Sequence, residues 1–444
     1  MVVPIKKLYL RTFGCQMNTA DSEQMAQVLA ADYELTAQAE QADLYLINTC
    51  AIRRKSEEKV RSLLGSLKVL KQRRPQLLLG VGGCVAQQEG EQLLAAAPHL
   101  DLVFGPKAIV RLPELVRRAA QGDRPLDVAL DREFPALPRR RFPARPVQAM
   151  VPIMQGCDNF CTFCVVPYVR GGEVSREPAA ICREIAYFLA AGGVEVTLLG
   201  QNVNSYGRGL AAPITFPELL HRVAGLPGLR RLRFATSHPR DLSPELLAAY
   251  GELPALCQHL HLPVQSGANQ VLRQMNRGYT REEYLAKVAA LRNSYPELSL
   301  STDLIVGFPG ETEADFAQTL DLMREAAFDQ AFSFKYSPRP QTRAATLPDQ
   351  VPEDLKAERL ARLQALQNEL TLKANQRLVG RRQEVLVEGL SRRSPHELCG
   401  RLRTNQVVNF IGPRDAVGQL AWVTITEAHP HSLKAGWEAD SSVS

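Results

Sequence analysis

No stretch of this 444-residue chain approaches the ~20 consecutive apolar residues that a membrane-spanning helix requires. No internal repeat or low-complexity tract stands out, which sets aside repeat arrays. The opening Met1–Lys7 runs straight into a strand-like segment, with no apolar core or cleavage site behind its charges. No secretion signal is therefore expected, and the setting is read as a reducing cytoplasm. A disulfide framework is also excluded, because nine cysteines is an odd count and thiols in that compartment more often ligate than pair. The glycine run Gly80-Val81-Gly82-Gly83 lacks the Lys-Ser/Thr ending of a phosphate loop, which removes the nucleotide-triphosphatase reading. Charge is close to balanced, with a net of +6. That suits a polyanionic partner without requiring one.

What is present is a soluble-enzyme composition, 45% hydrophobic and 23% charged, in a length that predicts about three domains at ~150 residues each. Residues 6–122 alternate strand-like runs (Leu8–Phe13, Leu44–Asn48, Leu77–Val81, Leu102–Phe104) with helical ones, which predicts a small parallel α/β sheet. Residues 123–148 are rich in Pro and Arg and read as a linker, its arginines either solvated or touching phosphate. From 149 to 375 six further strand and helix units follow, the pattern of a partial (βα)6 barrel whose site lies at the carboxyl ends of its strands. Residues 376–439 change to short β-like runs separated by glycines, which predicts a small antiparallel β-barrel of OB type. Its arginines, Arg381, Arg382, Arg401 and Arg403 among them, read as an oligonucleotide platform against the bland alternative of a solvated face. The final Asp440–Ser444 reads as frayed.

Six of the nine cysteines fall into two sets of three. The compact set is Cys157, Cys161 and Cys164, in Cys-x-x-x-Cys-x-x-Cys spacing directly after the first barrel strand. Three thiolates on one short loop can hold three irons of a cubane and leave the fourth iron open to a small chelating molecule. A zinc knuckle or plain buried thiols is the alternative, but no fourth His or Cys stands near Cys164 to close a zinc site. The dispersed set is Cys15, Cys50 and Cys84, each after a strand of the first sheet and about 35 residues from the next. Parallel strands bring their carboxyl ends to one edge, so these three can converge. Spacing alone leaves open whether they do. Cys182, Cys257 and Cys399 have no partners at ligand spacing and read as small buried hydrophobes.

The Cys157 triad, with Phe163 before its last cysteine, resembles the radical S-adenosylmethionine (SAM) enzymes. Cys15-Gln16-Met17-Asn18, Asn48-Thr49-Cys50, Gly82-Gly83-Cys84, Leu199–Asn204, Leu262–Gly267 and Asp303–Thr312 resemble that superfamily's methylthiotransferases. Val165–Gly171 and Arg403–Phe410 are similar to the branch called MiaB, and the likeness spans nearly the whole chain.

The resemblance implies two 4Fe–4S clusters, one on Cys157, Cys161 and Cys164 and an auxiliary one on Cys15, Cys50 and Cys84, with SAM as cosubstrate. It implies a 5′-deoxyadenosyl radical formed at the first cluster and a methylated sulfur delivered from the second. The target implied is carbon 2 of N6-dimethylallyladenosine at position 37, in the anticodon stem-loop of a tRNA. The same chemistry on threonylcarbamoyladenosine or on a ribosomal-protein aspartate is the alternative. A non-catalytic iron–sulfur RNA-binding protein is a third reading, against which the two open three-cysteine sites stand. An electron donor and a sulfur donor are further implied partners, and the last domain is implied to be an RNA-binding TRAM module.

No catalytic side chain beyond the six cluster ligands is expected. Strand-end positions assign Gly200, Gln201 and Asn202 to the methionyl end of SAM and Ile305, Gly307 and Gly310 to the adenine, beside Phe163. Arg170 and Arg176 are read as meeting phosphate or the SAM carboxylate, or else as a surface pair.

Overall fold

A computed structural model describes residues 5–51, 54–130, 133–135 and 138–438. The Met1–Pro4 start, Arg53 and the Asp440–Ser444 tail lie outside the described residues.

The first domain comprises β1 (Lys6–Thr12), α1 (Gln16–Val28), β2 (Tyr33–Leu35), β3 (Leu44–Thr49), α2 (Arg54–Arg73), β4 (Leu78–Gly83), α3 (Cys84–Ala96), β5 (Leu102–Phe104), α4 (Leu112–Ala120) and β6 (Leu126–Asp127). Every pairing in its sheet is parallel, in the order β2-β1-β3-β4-β5-β6. The central strands β3 and β4 are buried at every residue, because helices cover both faces. Two apolar clusters, one around Ile47, Val60 and Val81 and one around Leu46, Leu102 and Leu112, fill the space under those helices. The edge strands β2 and β6 are additions to the four expected. β6 falls within the stretch read as a linker, so regular structure continues past Gly122.

Within the same stretch two arginines have partners. Arg140 pairs with Glu23 of α1 and with a glutamate of the second domain, Glu184, and Arg139 stacks over Tyr187. These arginines fasten the first two domains together.

The second domain comprises β7 (Gln148–Pro152), β8 (Met154–Gln155), α5 (Val166–Arg170), β9 (Val174–Ser175), α6 (Pro178–Ala190), β10 (Glu195–Leu199), α7 (Phe216–Ala224), β11 (Arg231–Phe234), α8 (Pro244–Glu252), β12 (His259–His261), α9 (Asn269–Gln274), α10 (Arg281–Ser294), β13 (Ser299–Val306), α11 (Glu313–Ala326) and β14 (Gln330–Lys335). Two parallel three-stranded sheets, β11-β10-β7 and β12-β13-β14, are joined by a parallel bridge between Leu232 and Leu256. This is the open six-stranded barrel that the alternation predicts. The antiparallel ribbon of β8 and β9 is extra, and it frames the loop that carries Cys157, Cys161 and Cys164.

The long helix α12 (Glu353–Gln376) lies along β14, where Gln367 donates to the Phe328 carbonyl at 3.0 Å. It leads into β15 (Arg382–Leu390), β16 (Leu398–Leu402), β17 (Val407–Phe410), β18 (Leu420–Ala428) and β19 (Leu433–Trp437), a closed barrel in the order β15-β16-β17-β19-β18. The expected antiparallel arrangement holds for all its pairings but one. β17 and β19 run parallel, and closure leaves no free edge. Among the described residues no helix is long and apolar enough to cross a membrane.

Candidate iron–sulfur and cofactor site

Cys15, Cys50 and Cys84 do converge. Cys15 caps α1 behind β1, Cys50 follows β3, and Cys84 opens α3 behind β4, so one sheet edge and two helix N-termini present all three. Two glycines make the approach feasible. Gly14, at φ +130°, stands where a Cβ would lie 2.5 Å from Cys50 Cβ. Gly83, at φ +92°, stands where one would lie 2.4 Å from the Thr49 carbonyl oxygen.

Buried amides lock the strand ends. Asn48 donates to the Asn18 carbonyl at 2.7 Å and to Ser22 Oγ at 3.0 Å, while Asn18 donates to the Thr49 carbonyl at 2.9 Å. The Cys15 thiol is lowered to about 6, chiefly by a hydrogen bond from Cys50, against burial and with help from the Arg170 charge. Burial pushes Cys84 up, with Arg170 pulling the other way. Arg170 itself is neither a surface residue nor free for phosphate: its Nη2 donates to Asp21 Oδ2 at 2.6 Å, both side chains buried. Arg176 pairs with Glu184 at 2.6 Å.

The compact set sits on the loop between β8 and β9. At its base Gly156, at φ +83°, would carry a Cβ only 1.9 Å from the Gly172 carbonyl oxygen, so no side chain is tolerated there. The Gly156 N–H donates to Gln201 Oε1 at 2.5 Å. Arg277 Nη1 donates to Cys161 Sγ at 3.3 Å and its Nη2 to the Pro263 carbonyl at 2.7 Å. Burial pushes Cys157 up to about 11 and Cys164 up to about 12, with the neighbouring Cys161 raising both further. The sulfurs thus feel one another, and ligation would release their protons.

No disulfide joins any of the six thiols. Among the described residues no group of three or more His, Cys, Asp or Glu gathers tightly enough to hold a single metal ion. A cubane fits such a wider set, because each thiolate takes its own iron. Of the three remaining cysteines, Cys257 is buried as expected, whereas Cys182 and Cys399 are only partly so.

Around the strand ends, buried polar atoms lack partners: Gln155 Oε1, Glu173 Oε1, Asn202 Oδ1, Ser237 Oγ and His238 Nε2. They form one patch. Ser205 donates to Glu173 at 2.7 Å and to the Asn202 carbonyl at 2.8 Å, Asn202 donates to Asp241 at 2.7 Å, and the His238 ring packs edge-on to Tyr279 beside Arg277. Burial raises the Glu173 carboxyl to about 7 and lowers His238 to about 2. Orphaned buried polar atoms call for a ligand, so a polar molecule fits here.

Gln201 and Asn202 border this patch, and Gly200 packs where a Cβ would meet Met154 Cγ at 2.5 Å. Phe163 and Ile305 meet in one apolar cluster with Phe308 and Tyr336. Gly307 and Gly310 form the following turn at φ +71° and +75°. A Cβ at Gly307 would run into Lys356 of α12, so that glycine serves helix packing. Sequence reading gave no site role to Glu173, Ser237, His238 or Arg277. None carries a local motif; topology alone assembles them. An open cleft of about 440 Å³ on the outer side of the loop is lined by Phe160, Cys161, Tyr168, Arg273 and Arg343, among others.

The arginines of the small barrel divide. Arg403 donates to the Pro254 and Leu256 carbonyls and Arg401 to Glu388, while Arg231 and Arg233 of β11 donate to the carbonyls of Arg401, Leu402 and Arg403. The Arg403 side chain thus joins the domains, whereas Arg401 does so only through its carbonyl, its side chain staying within the small barrel. Arg381 and Arg382 lie more exposed, in surface pairs with Glu297 and Glu438.

Three family models match: the uncharacterized protein family UPF0004 at residues 7–105, the radical SAM superfamily at 151–323 and the TRAM domain at 376–436. A protein of Geobacter metallireducens called tRNA-2-methylthio-N(6)-dimethylallyladenosine synthase is 52% identical over 96% of this chain and 97% of its own length. One of the same name from Moorella thermoacetica is 50% identical over 98% of this chain and 99% of its own. A solved structure of the radical SAM methyltransferase TsrM from Kitasatospora setae shares the fold, with a TM-score of 0.57 at 13% identity, covering 77% of this chain and 75% of that one. Two convergent thiol triads, a barrel with a polar patch at its strand ends and near-complete alignment at half identity lead to one assignment: the chain belongs to the radical SAM family of tRNA-2-methylthio-N(6)-dimethylallyladenosine synthases.

Proposed function

We propose that this chain is a tRNA methylthiotransferase that places a methylthio group on carbon 2 of N6-dimethylallyladenosine at position 37. The observation that carries this reading is the pair of three-thiol sites, each gathered at a sheet's strand ends and each one donor short of closing a cubane. Cys157, Cys161 and Cys164 would hold the cluster at which SAM binds, and Cys15, Cys50 and Cys84 the auxiliary one. When bound, these groups supply the radical and sulfur chemistry that an unactivated ring C–H demands and no side chain can furnish.

The chain's own residues do the positioning. Gln201 braces the cluster loop through Gly156, and Asn202 with the Glu173 and His238 patch offers polar atoms to the methionyl end. Phe163 and Ile305 offer an apolar wall to the adenine. Of the four arginines read as an oligonucleotide platform, Arg381 and Arg382 are the more exposed and the better placed to meet the tRNA backbone. An external reductant and a sulfur donor complete the reaction, in a cytoplasmic setting.

On sequence alone the Asn-rich Gln201–Asn204 segment and Val407–Phe410 favour the prenylated base, but their placement in the fold does not discriminate between targets. Val408 and Phe410 are core residues of the small barrel, and Asn202 is buried at the strand ends. The choice of base therefore rests on the family relatives.

Anaerobic reconstitution tests the reading: about eight irons in two cubanes, and 5′-deoxyadenosine on reduction with SAM. Absence of that product returns the chain to an iron–sulfur RNA-binding role. Mass spectrometry of nucleosides from a deletion strain tests the target. Loss of only the prenylated methylthio nucleoside supports it; loss of the threonylcarbamoyl counterpart overturns it.

A further inference from the structure

Arg170 stands between the two thiol sites. It ends α5, the short helix that leaves the Cys157 loop, yet its side chain reaches into the first domain, where it is 3% exposed. Val165 and Val169 of the same helix sit in one apolar cluster with Cys84, Val85 and Ala86, which sets α5 against the start of α3. Nη2 is taken by Asp21, six residues after Cys15 on α1. Nη1 is buried and has no partner at hydrogen-bond geometry, although its guanidinium lies close enough to Cys84 and Cys15 to act on both thiols. An arginine with one arm fixed by a carboxylate and the other buried beside Cys84 and Cys15 without a well-formed acceptor is aimed at one those cysteines carry.

We propose that Arg170 donates a charged N–H to the inorganic core held by Cys15, Cys50 and Cys84 and sets that core's reduction potential. The proposal rests on the assignment of those cysteines as cluster ligands. Hydrogen bonds to cluster sulfurs and nearby charge are levers on potential. A cationic donor favours the reduced, more negative core, so Arg170 holds the potential up. Because Arg170 belongs to the loop of the other cluster, the second domain contributes a residue to a site whose ligands all lie in the first. Arg170 is thus a positioning and tuning residue rather than a catalytic one.

The test uses the full chain carrying Cys157→Ala, Cys161→Ala and Cys164→Ala, reconstituted so that only the auxiliary cluster remains. Dithionite supplies the one electron, and the reduced cluster is followed by electron paramagnetic resonance. Into this background go Arg170→Lys, and Arg170→Gln paired with Asp21→Asn so that no carboxylate is stranded. The expected result is a lower midpoint potential in both, larger in the neutral pair, with an altered resonance signal. An unchanged potential at unchanged iron content overturns the proposal and leaves Arg170 as a clamp between domains. Should the neutral pair fail to retain iron, Arg170→Lys decides alone: a lowered potential supports the proposal, an unchanged one ends it. A background that binds no iron at all refutes the cluster assignment instead.

Discussion

Arg231 and Glu384, 153 residues apart, meet at 2.8 Å across the junction of the large and small barrels, with no part of the Arg231 side chain exposed. The same guanidinium reaches the carbonyls of Glu384 and Arg401 and lies 3.7 Å from Glu195. Arg231→Ala would take from Glu384 its main charged partner in a buried junction, while Glu195 keeps Arg233 at 3.0 Å. The expected cost is about 3–5 kcal/mol, the range for breaking a buried pair. Denaturant unfolding measures it, and limited proteolysis should show the small barrel released first.

Gly156→Ala should abolish the cluster on the Cys157 loop and leave the auxiliary one intact. The added methyl would occupy the space of the Gly172 carbonyl at a backbone angle that disfavours any side chain. Reconstituted protein should then hold about four irons rather than eight and release no 5′-deoxyadenosine. Full iron content in the variant would contradict this.

Asn48→Ala should act on the other site. It deletes an amide, wholly buried, that ties β3 to the backbone of α1. The stranded partners predict a loss of about 1–3 kcal/mol. Iron on the Cys15, Cys50 and Cys84 set should become labile to chelator while the SAM-cleaving site keeps its own, as a timed chelation experiment would show.

The pH dependence of stability should carry a contribution from Glu173. Its carboxyl is raised to about 7, first by burial and against the Ser205 hydrogen bond, from an ordinary value of 4.5. Between those values the folded chain binds the extra proton, so stability falls as pH rises through that window and levels off above it. Below 4.5 both states are protonated and the difference vanishes. Glu173→Gln should flatten that slope in the SAM-free full chain; equal slopes in denaturant midpoints from pH 5 to 8 would refute the assignment.

Arg382→Ala and Arg403→Ala should separate RNA contact from domain joining. Removing Arg382 is expected to weaken tRNA binding and lower the salt slope by about 1, with little change in stability. Removing Arg403 should shift the unfolding midpoint, since its partners are the Pro254 and Leu256 carbonyls. Binding isotherms at several salt concentrations distinguish the two.

The sequence made the interior strands legible because a parallel strand covered on both faces is a continuous apolar run, as in Leu44–Ile47. β2 and β6 stayed hidden, being three and two residues long, each pairing along one side only. The compact thiol set was readable from local spacing, whereas the dispersed one needed the sheet to bring Cys15, Cys50 and Cys84 to one edge. Arg277 lies 116 residues from the sulfur it touches, beyond any pattern in the chain. Composition announced a basic small barrel but said nothing of where each guanidinium would be spent. Arg403 is spent on the Pro254 and Leu256 carbonyls and Arg401 on Glu388, partners that lie far off in sequence or across a strand pairing.

The helix α12 has a consequence of scale. Its 24 residues make a rod about 36 Å long, laid against β14 and tied at its far end by Asn375 to the His429 carbonyl. With the clasp at Arg231 closing the other side, rod and clasp act as a caliper. The small barrel is thereby held in one place against the large one, so a partner that touches both meets them as a single surface.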